Sequence, residues 1–168
     1  MPLFTPHVVF RGVEAITPEY LAQNGIKALI LDVDNTLTGH GSQELPAQVA
    51  AWLERMREAG VGLVIASNNF EARVAPFARR VGLAHCSFCC KPAPVGLARA
   101  RRALGVKKRE LALVGDQIFT DALGANLYGI KALLVQPMHD DTTWTVRLKR
   151  RLEAPILDRY YRRGGKLL

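Results

Sequence analysis

Apolar and polar positions along the chain change period several times, and each change predicts an element. The run Ala28, Leu29, Ile30, Leu31 and Val33, interrupted only by Asp32, is apolar and follows the turn-forming pair Asn24 and Gly25. A short, near-continuous run of this kind predicts a central strand buried on both faces. "LPAQVAAWLERMREAG" then carries apolar residues at helical spacing from Pro46 to Gly60, and "VGLVIAS" returns to a strand pattern. The alternation continues with a helix near 70–81, a short strand near 84–88 and a helix near 94–104. The strand "LALVG" at 111–115, a helix near 119–128 and the run "KALLVQP" complete it. Such alternation predicts an α/β fold, with a central parallel sheet, helices on both faces and right-handed crossovers. No internal repeat, low-complexity tract or interdomain linker interrupts it.

Length and composition narrow the class. With 168 residues and 49% hydrophobic residues, the chain suits one domain with a sizeable core. Its apolar runs fall short of the roughly twenty residues that cross a bilayer, and "MPLFTPHVVFRG" lacks a signal-peptide pattern, which predicts a cytoplasmic protein. Three cysteines, Cys86, Cys89 and Cys90, crowd into one segment, unlike a secreted disulfide framework. With His85 they have a zinc-like composition, but alternate side chains of a strand point apart and no second cysteine pair follows. The expectation is no structural zinc.

The chemistry gathers where strands are expected to end. In open parallel sheets ligands bind in the crevice at the carboxyl ends of the strands. Asp32 and Asp34 stand there after the first run, Ser67, Asn68 and Asn69 after the second, Lys91 after "CSFCC", and Asp116 and Asp121 in "LVGDQIFTDALGAN". Burying a carboxylate is costly without a compensating cation or hydrogen bond, so paired acids at a buried strand end point to a metal or a reactive pair. Each residue alone has a plainer role: a turn hydroxyl for Ser67, a solvated charge for Lys91, a first-turn helix acid for Asp121. Together they supply carboxylates, a hydroxyl and an amine suited to holding a phosphate dianion beside magnesium. An EF-hand is excluded because its sixth loop position would be Leu37, and no G-x-x-x-x-G-K-S/T loop is present.

"DVDNTL", "ASNN", "KP" and "VGDQIFTD", in this order, resemble the four motifs of haloacid dehalogenase-type (HAD) phosphatases. Asn35, the "SNN" triplet and "GDQ" with "TD" are more narrowly similar to the YqeG-like members of subfamily IIIA, relatives of phosphatidylglycerophosphate phosphatases. The resemblance covers about residues 6–137 and implies a Rossmann-like HAD fold. It implies Asp32 as the nucleophile of an aspartyl-phosphate intermediate and Asp34 as the general acid and base. Ser67, Asn68 and Lys91 would bind phosphate. Asp32, Asp34 (through its carbonyl) and Asp116 would ligate Mg2+, with Thr36 and Asp121 in support. Only 33 positions separate Asp34 from Ser67 and 24 separate Ser67 from Lys91, so no sizeable cap domain fits.

The charge of +8 is uneven: residues 147–168 hold eight Lys or Arg against Glu153 and Asp158. Trp144, Leu148, Leu152 and Ile156 recur every four residues in this basic extension of about 140–168, with Pro155 expected to limit the helix. Two arrangements fit: a terminal helix packing this stripe on the domain, or an amphipathic segment on an anionic membrane surface. An uncapped site and a basic tail suit a magnesium-dependent phosphatase acting on an anionic phospholipid, which the resemblance suggests is phosphatidylglycerophosphate, at the inner face of the membrane. Two alternatives stand beside it. One is hydrolysis of a soluble sugar or nucleotide phosphate; the other is a basic nucleic-acid or ribonucleoprotein binding module, less favoured because Tyr160 and Tyr161 are its only adjacent aromatic pair near basic residues. An oligomer is compatible with all three.

Overall fold

The computed structural model describes residues 3–139 and 144–168; the first two positions of the N-terminal stretch and the first four of the basic extension lie outside it. Six strands form one parallel sheet in the order β1-β6-β5-β2-β3-β4. They are β1 (Val8–Phe10), β2 (Ala28–Leu31), β3 (Gly62–Ala66), β4 (Ala84–Cys86), β5 (Leu111–Gly115) and β6 (Lys131–Val135). β2 lies between β3 and β5, with Leu31 opposite Ile65 on one side and Val114 on the other. All four of its residues are buried, as a continuous apolar run in a central parallel strand requires.

Two hydrophobic clusters cover the two faces. On one, the helices α1 (Pro18–Gln23), α2 (Ala47–Glu58) and α3 (Glu71–Val81) bury Leu21, Trp52, Leu53, Met56, Val74 and Phe77 against Leu29, Leu31 and Ile65. Trp52 is fully buried and its indole N–H donates to the Ile16 carbonyl at 2.8 Å, so the large ring enters the core without stranding its donor. On the other face α4 (Pro94–Leu104), α5 (Leu123–Tyr128) and α6 (Trp144–Arg162) pack Leu97, Ala100, Ala125, Tyr128, Ile156 and Tyr160 against Ile30, Val64 and Leu113. Gly82, at φ 66°, supplies the left-handed residue that ends α3 and turns the chain into β4.

Several elements differ from the sequence reading. β1 and α1 lie ahead of the first expected strand and are too short for a periodic signal. β1 pairs with β6 on one side, and on the other receives the chain's last residues: Leu168 N–H donates to Val9 O and Arg11 N–H to Leu168 O. The strand expected over 84–88 stops at Cys86, because Phe88 and Cys90 take positive φ and break the extended path. The helix expected over 119–128 opens as a wider π-type turn, Ile118–Ala122, before α5.

The C-terminal helix departs furthest. It runs through Pro155 to Arg162. Pro155 and Arg151 are both exposed, so the carbonyl that loses a proline N–H partner faces water. α6 does pack on the domain, but not by the stripe read from the sequence. A strict four-residue repeat advances about 400° per step, drifting about 40° each time. Ile156 therefore faces the sheet while Trp144, Leu148 and Leu152 are exposed. The seam that docks is Arg150, Glu153, Leu157 and Tyr160, alternating three and four residues, with two charged members that resemble surface positions in the sequence.

Candidate active site

The acids gather because four strands end at one edge. Asp32 continues β2, its N–H donating to Val114 O at 2.9 Å. Immediately beyond, the chain folds over Val33, whose carbonyl accepts from the N–H groups of Thr36, Leu37 and Thr38. Asn35 makes this turn possible at φ 58°, a left-handed conformation that asparagine tolerates better than most residues. Asp34 thereby leaves the strand and joins a separate network. Its carboxylate accepts from Gly41 N–H at 2.8 Å, Asn69 Nδ2 at 2.7 Å and Arg73 Nη2 at 2.8 Å.

Lys91 enters from the loop after β4. The Asn68 side chain clamps its peptide group, accepting from Lys91 N–H at 2.6 Å and donating to Lys91 O at 2.9 Å. The Lys91–Pro92 bond is cis. So held, the buried ammonium lies 2.6 Å from Asp32 Oδ1 and 2.7 Å from Asp121 Oδ1. Burial alone would lower the pKa of this amine, but the adjacent Asp121 and Asp32 charges outweigh it and raise it. Ser67 stands at the end of β3, buried, its hydroxyl accepting from Asn69 N–H at 3.2 Å.

The loop after β5 brings the remaining acids. Gly115 is required there by close approach: a Cβ would lie 2.3 Å from Asp121 Cγ. Asp121 is held by Gln117 N–H at 3.1 Å and the Thr120 hydroxyl at 3.2 Å. Asp116 is buried, and Arg150 of α6 donates both to its Oδ2 and to its main-chain carbonyl. The neighbouring Glu153, also buried, accepts from Ile118 N–H at 2.7 Å and Phe119 N–H at 3.2 Å. α6 thus fastens the acid-bearing loop at Asp116 and at the two amides that follow it.

Ligand oxygens of Asp32, Asp116 and Asp121 lie within 4.8 Å of one another. Burial raises the Asp32 pKa to about 6, with Lys91 opposing and Asp121 reinforcing the shift. Burial raises that of Asp116 to about 8, opposed by Arg150 and reinforced by Asp32 and Asp121. Asp116 Oδ1 is buried with no hydrogen-bond partner among the described residues. An unpaired carboxylate oxygen beside mutually repelling acids fits a hard divalent cation, which takes oxygen ligands and offsets their charge.

The candidates from the sequence divide among these networks. Asp32, Lys91, Asp116 and Asp121 meet directly. The Asp34 carboxylate belongs to the Arg73 and Asn69 network, while the main-chain carbonyl assigned to it as a ligand is a separate group. Asn68 spends its amide on Lys91, and the buried Thr36 hydroxyl has no hydrogen-bond partner among the described residues. Arg73, Arg150 and Glu153 were not singled out in the sequence for this site. Arg73 lies in an amphipathic helix and Arg150 in a basic run, where one arginine resembles the next. Cys89 is buried, its thiol donating to Cys86 O at 3.1 Å, with burial pushing its pKa to about 11.

A parallel sheet that presents buried acids, a lysine and a serine at its carboxyl edge defines an α/β enzyme built around an anionic group. Residues 42–129 match the family model of haloacid dehalogenase-like hydrolases, and residues 1–76 that of mitochondrial PGP phosphatase. The chain is 34% identical to "Probable phosphatase YqeG" of Bacillus subtilis (strain 168), covering 96% of this chain and 94% of that protein. It is 28% identical to phosphatidylglycerophosphate phosphatase 1, chloroplastic/mitochondrial, of Arabidopsis thaliana, covering 96% of this chain and 49% of the relative. Its fold is similar to the crystal structure of a 4-nitrophenylphosphatase from Thermotoga maritima, with TM-score 0.59 and 14% identity over 71% of this chain and 89% of that one. The chain belongs to the HAD family and is a phosphatase.

Proposed function

We infer that this phosphatase hydrolyses the phosphomonoester of phosphatidylglycerophosphate, with magnesium, through an aspartyl-phosphate on Asp32. The observation that carries the chemistry is the buried Lys91 ammonium 2.6 Å from Asp32, beside Asp116 and Asp121. The lipid part is supported by the match of residues 1–76 to the PGP phosphatase model and by the Arabidopsis relative. No helix of the described residues is long and apolar enough to cross a membrane, so a lipid substrate would be reached from the bilayer surface.

In this reading Asp32 Oδ attacks phosphorus as the ester P–O bond breaks, and Asp34 gives its proton to the leaving alkoxide. Asp34, then a carboxylate, takes a proton from water. The water oxygen attacks phosphorus, the Asp32–phosphorus bond breaks and inorganic phosphate leaves. Gly41, Asn69 and Arg73 donate to the Asp34 carboxyl group and hold it in one orientation for both steps. Lys91 neutralises the phosphoryl oxygens, Ser67 donates to them, and Asn68 contributes by fixing the Lys91 peptide. Asp32, Asp116 and the main-chain carbonyl of Asp34 would hold magnesium, with Asp121 in support; when bound it supplies further charge neutralisation.

The test is phosphate release from vesicles containing phosphatidylglycerophosphate and from a panel of soluble sugar, nucleotide and aryl phosphates, with and without magnesium, for the unaltered protein and Asp32→Asn. Selective magnesium-dependent release from the lipid, absent in the variant, is the expected result. Release from soluble esters alone overturns the lipid assignment.

A further inference from the structure

The seam that docks α6 leaves the opposite side of that helix facing outward. At 100° per residue, Arg150, Glu153, Leu157 and Tyr160 lie about 180° around the axis from Trp144, Leu148 and Leu152. These three apolar side chains are 72%, 50% and 56% exposed. Burying such residues in water-free surroundings is normally favourable, and a helix face that displays a tryptophan and two leucines together is a surface built for a partner.

The charges on the same face say what kind of partner. Arg147, Arg151, Arg159 and Arg162 are exposed along it, against one exposed acid, Asp158. Glu153, the other acid of the helix, is turned inward and occupied by Ile118 and Phe119. A tryptophan and leucines flanked by arginines are the complement of a bilayer with anionic headgroups, where apolar side chains enter the acyl boundary and guanidinium groups meet phosphate. Trp144, Leu148, Arg147 and Arg151 also line an open groove of about 900 Å³, together with Pro137 from the loop after β6. Arg150 of the docking seam lines the inner edge of the same groove and reaches Asp116, so the groove runs from the outer face toward the acids.

We propose that the outer face of α6 is a docking surface for an anionic phospholipid bilayer, seating the open crevice against the headgroup layer. The proposal rests on the phospholipid reading of the substrate for its purpose, but not for its measurement. Binding is measured on vesicles of phosphatidylglycerol in phosphatidylcholine, which contain no phosphomonoester, against vesicles of phosphatidylcholine alone. The full chain has two tryptophans, and Trp52 is fully buried in the core. Bromine atoms on the acyl chains can therefore quench Trp144 and not Trp52.

The expected result is flotation with the anionic vesicles at low salt, quenching by brominated acyl chains, and loss of both with the neutral vesicles. Arg147→Glu with Arg151→Glu is expected to weaken partition by about a hundredfold, the loss of several favourable charge contacts with the surface. Leu148→Glu is expected to abolish quenching, and Trp144→Phe to remove the quenched signal while vesicle binding persists. Far-UV circular dichroism and the thermal midpoint identify any variant that misfolds. Failure of the unaltered protein to float, flotation without quenching, or a concentration-dependent dimer that Leu148→Glu dissociates in place of vesicle binding would each overturn the proposal. Binding as expected, with no hydrolysis of phosphatidylglycerophosphate, would leave the docking surface standing and discard the substrate assignment.

Discussion

Lys91 Nζ lies 2.6 Å from Asp32 Oδ1, so the nucleophile of the proposed reaction is paired with a buried cation before any substrate arrives. The same ammonium bridges to Asp121 at 2.7 Å. Replacing it leaves two buried carboxylates facing each other. Lys91→Met is expected to lower kcat/KM at least about a thousandfold by removing the charge that neutralises the phosphoryl oxygens in the proposed reaction. It is also expected to destabilise the cation-free protein by about 3 kcal/mol, the order found when one partner of a buried ion pair is removed. Steady-state kinetics and chemical denaturation measure the two effects; a variant of undiminished activity would remove Lys91 from the mechanism.

The raised pKa values of Asp32 and Asp116, about 6 and about 8, give a pH dependence with a definite sign. Their ordinary value is 3.8, so between that pH and about 8 these two carboxyl groups hold more protons in the folded protein than in the unfolded chain. Stability therefore falls as pH rises through this window. Thermal unfolding with a chelator present should show a higher midpoint near pH 5 than near pH 8. Magnesium, which favours the ionised acids, should raise the midpoint more at pH 8 than at pH 5. An equal magnesium effect at both values would contradict these shifts.

Asp34→Asn separates the two chemical steps. An aryl ester with a good leaving group needs little help from an acid, whereas attack by water on the phosphoenzyme needs the base. With 4-nitrophenyl phosphate the variant should release one equivalent of nitrophenolate quickly and then slow by about a hundredfold or more. Rapid-quench measurement of the burst checks this; uniform slowing of both phases would assign Asp34 differently.

Gly115→Ala tests the close approach of Asp121 to the end of β5. The added Cβ would fall 2.3 Å from Asp121 Cγ, forcing the carboxylate off Lys91. Overpacking of this kind costs about 1–3 kcal/mol. The expected outcome is a lower denaturation midpoint and reduced turnover that added magnesium does not fully restore.

Arg150→Ala removes the two contacts from α6 to Asp116. Hydrogen bonds to charged groups are worth about 2 kcal/mol, and a loss of that size is expected in the cation-free protein. If Asp116 holds magnesium as proposed, the difference from the unaltered protein should narrow as magnesium is added. Denaturation series at several magnesium concentrations measure this.

The parallel sheet was legible because β2, β3, β5 and β6 are each unbroken apolar runs separated by helical spacing, a pattern that little else produces. Asp32 and Asp116 were legible because each directly follows such a run, and Lys91 because it follows a segment that itself resembles a strand. The turn at Asn35 that divides Asp34 from Asp32 was not, since it depends on one left-handed residue. α6 misled for a geometric reason: its apolar residues repeat every four positions and drift off the face, while the docking seam opens with Arg150 and Glu153. A charged pair becomes an inward position only because Asp116 and the Ile118 and Phe119 amides await it, and those partners lie far away in sequence.

β2 has a neighbour on each side, and one of them, β5, is reached only after β3 and β4 have been passed in the chain. Leu31 meets Val114 across about half of the protein's length. Pairings so distant carry a large loop-closure cost and slow the search for the native state. Asp32 can adopt its place on β2 early, but Asp116 and Asp121 join it only when β5 inserts. The insertion of β5 is therefore also the step that assembles the chemistry: a partly folded chain with only β2 and β3 paired lacks Asp116 and Asp121 beside Asp32.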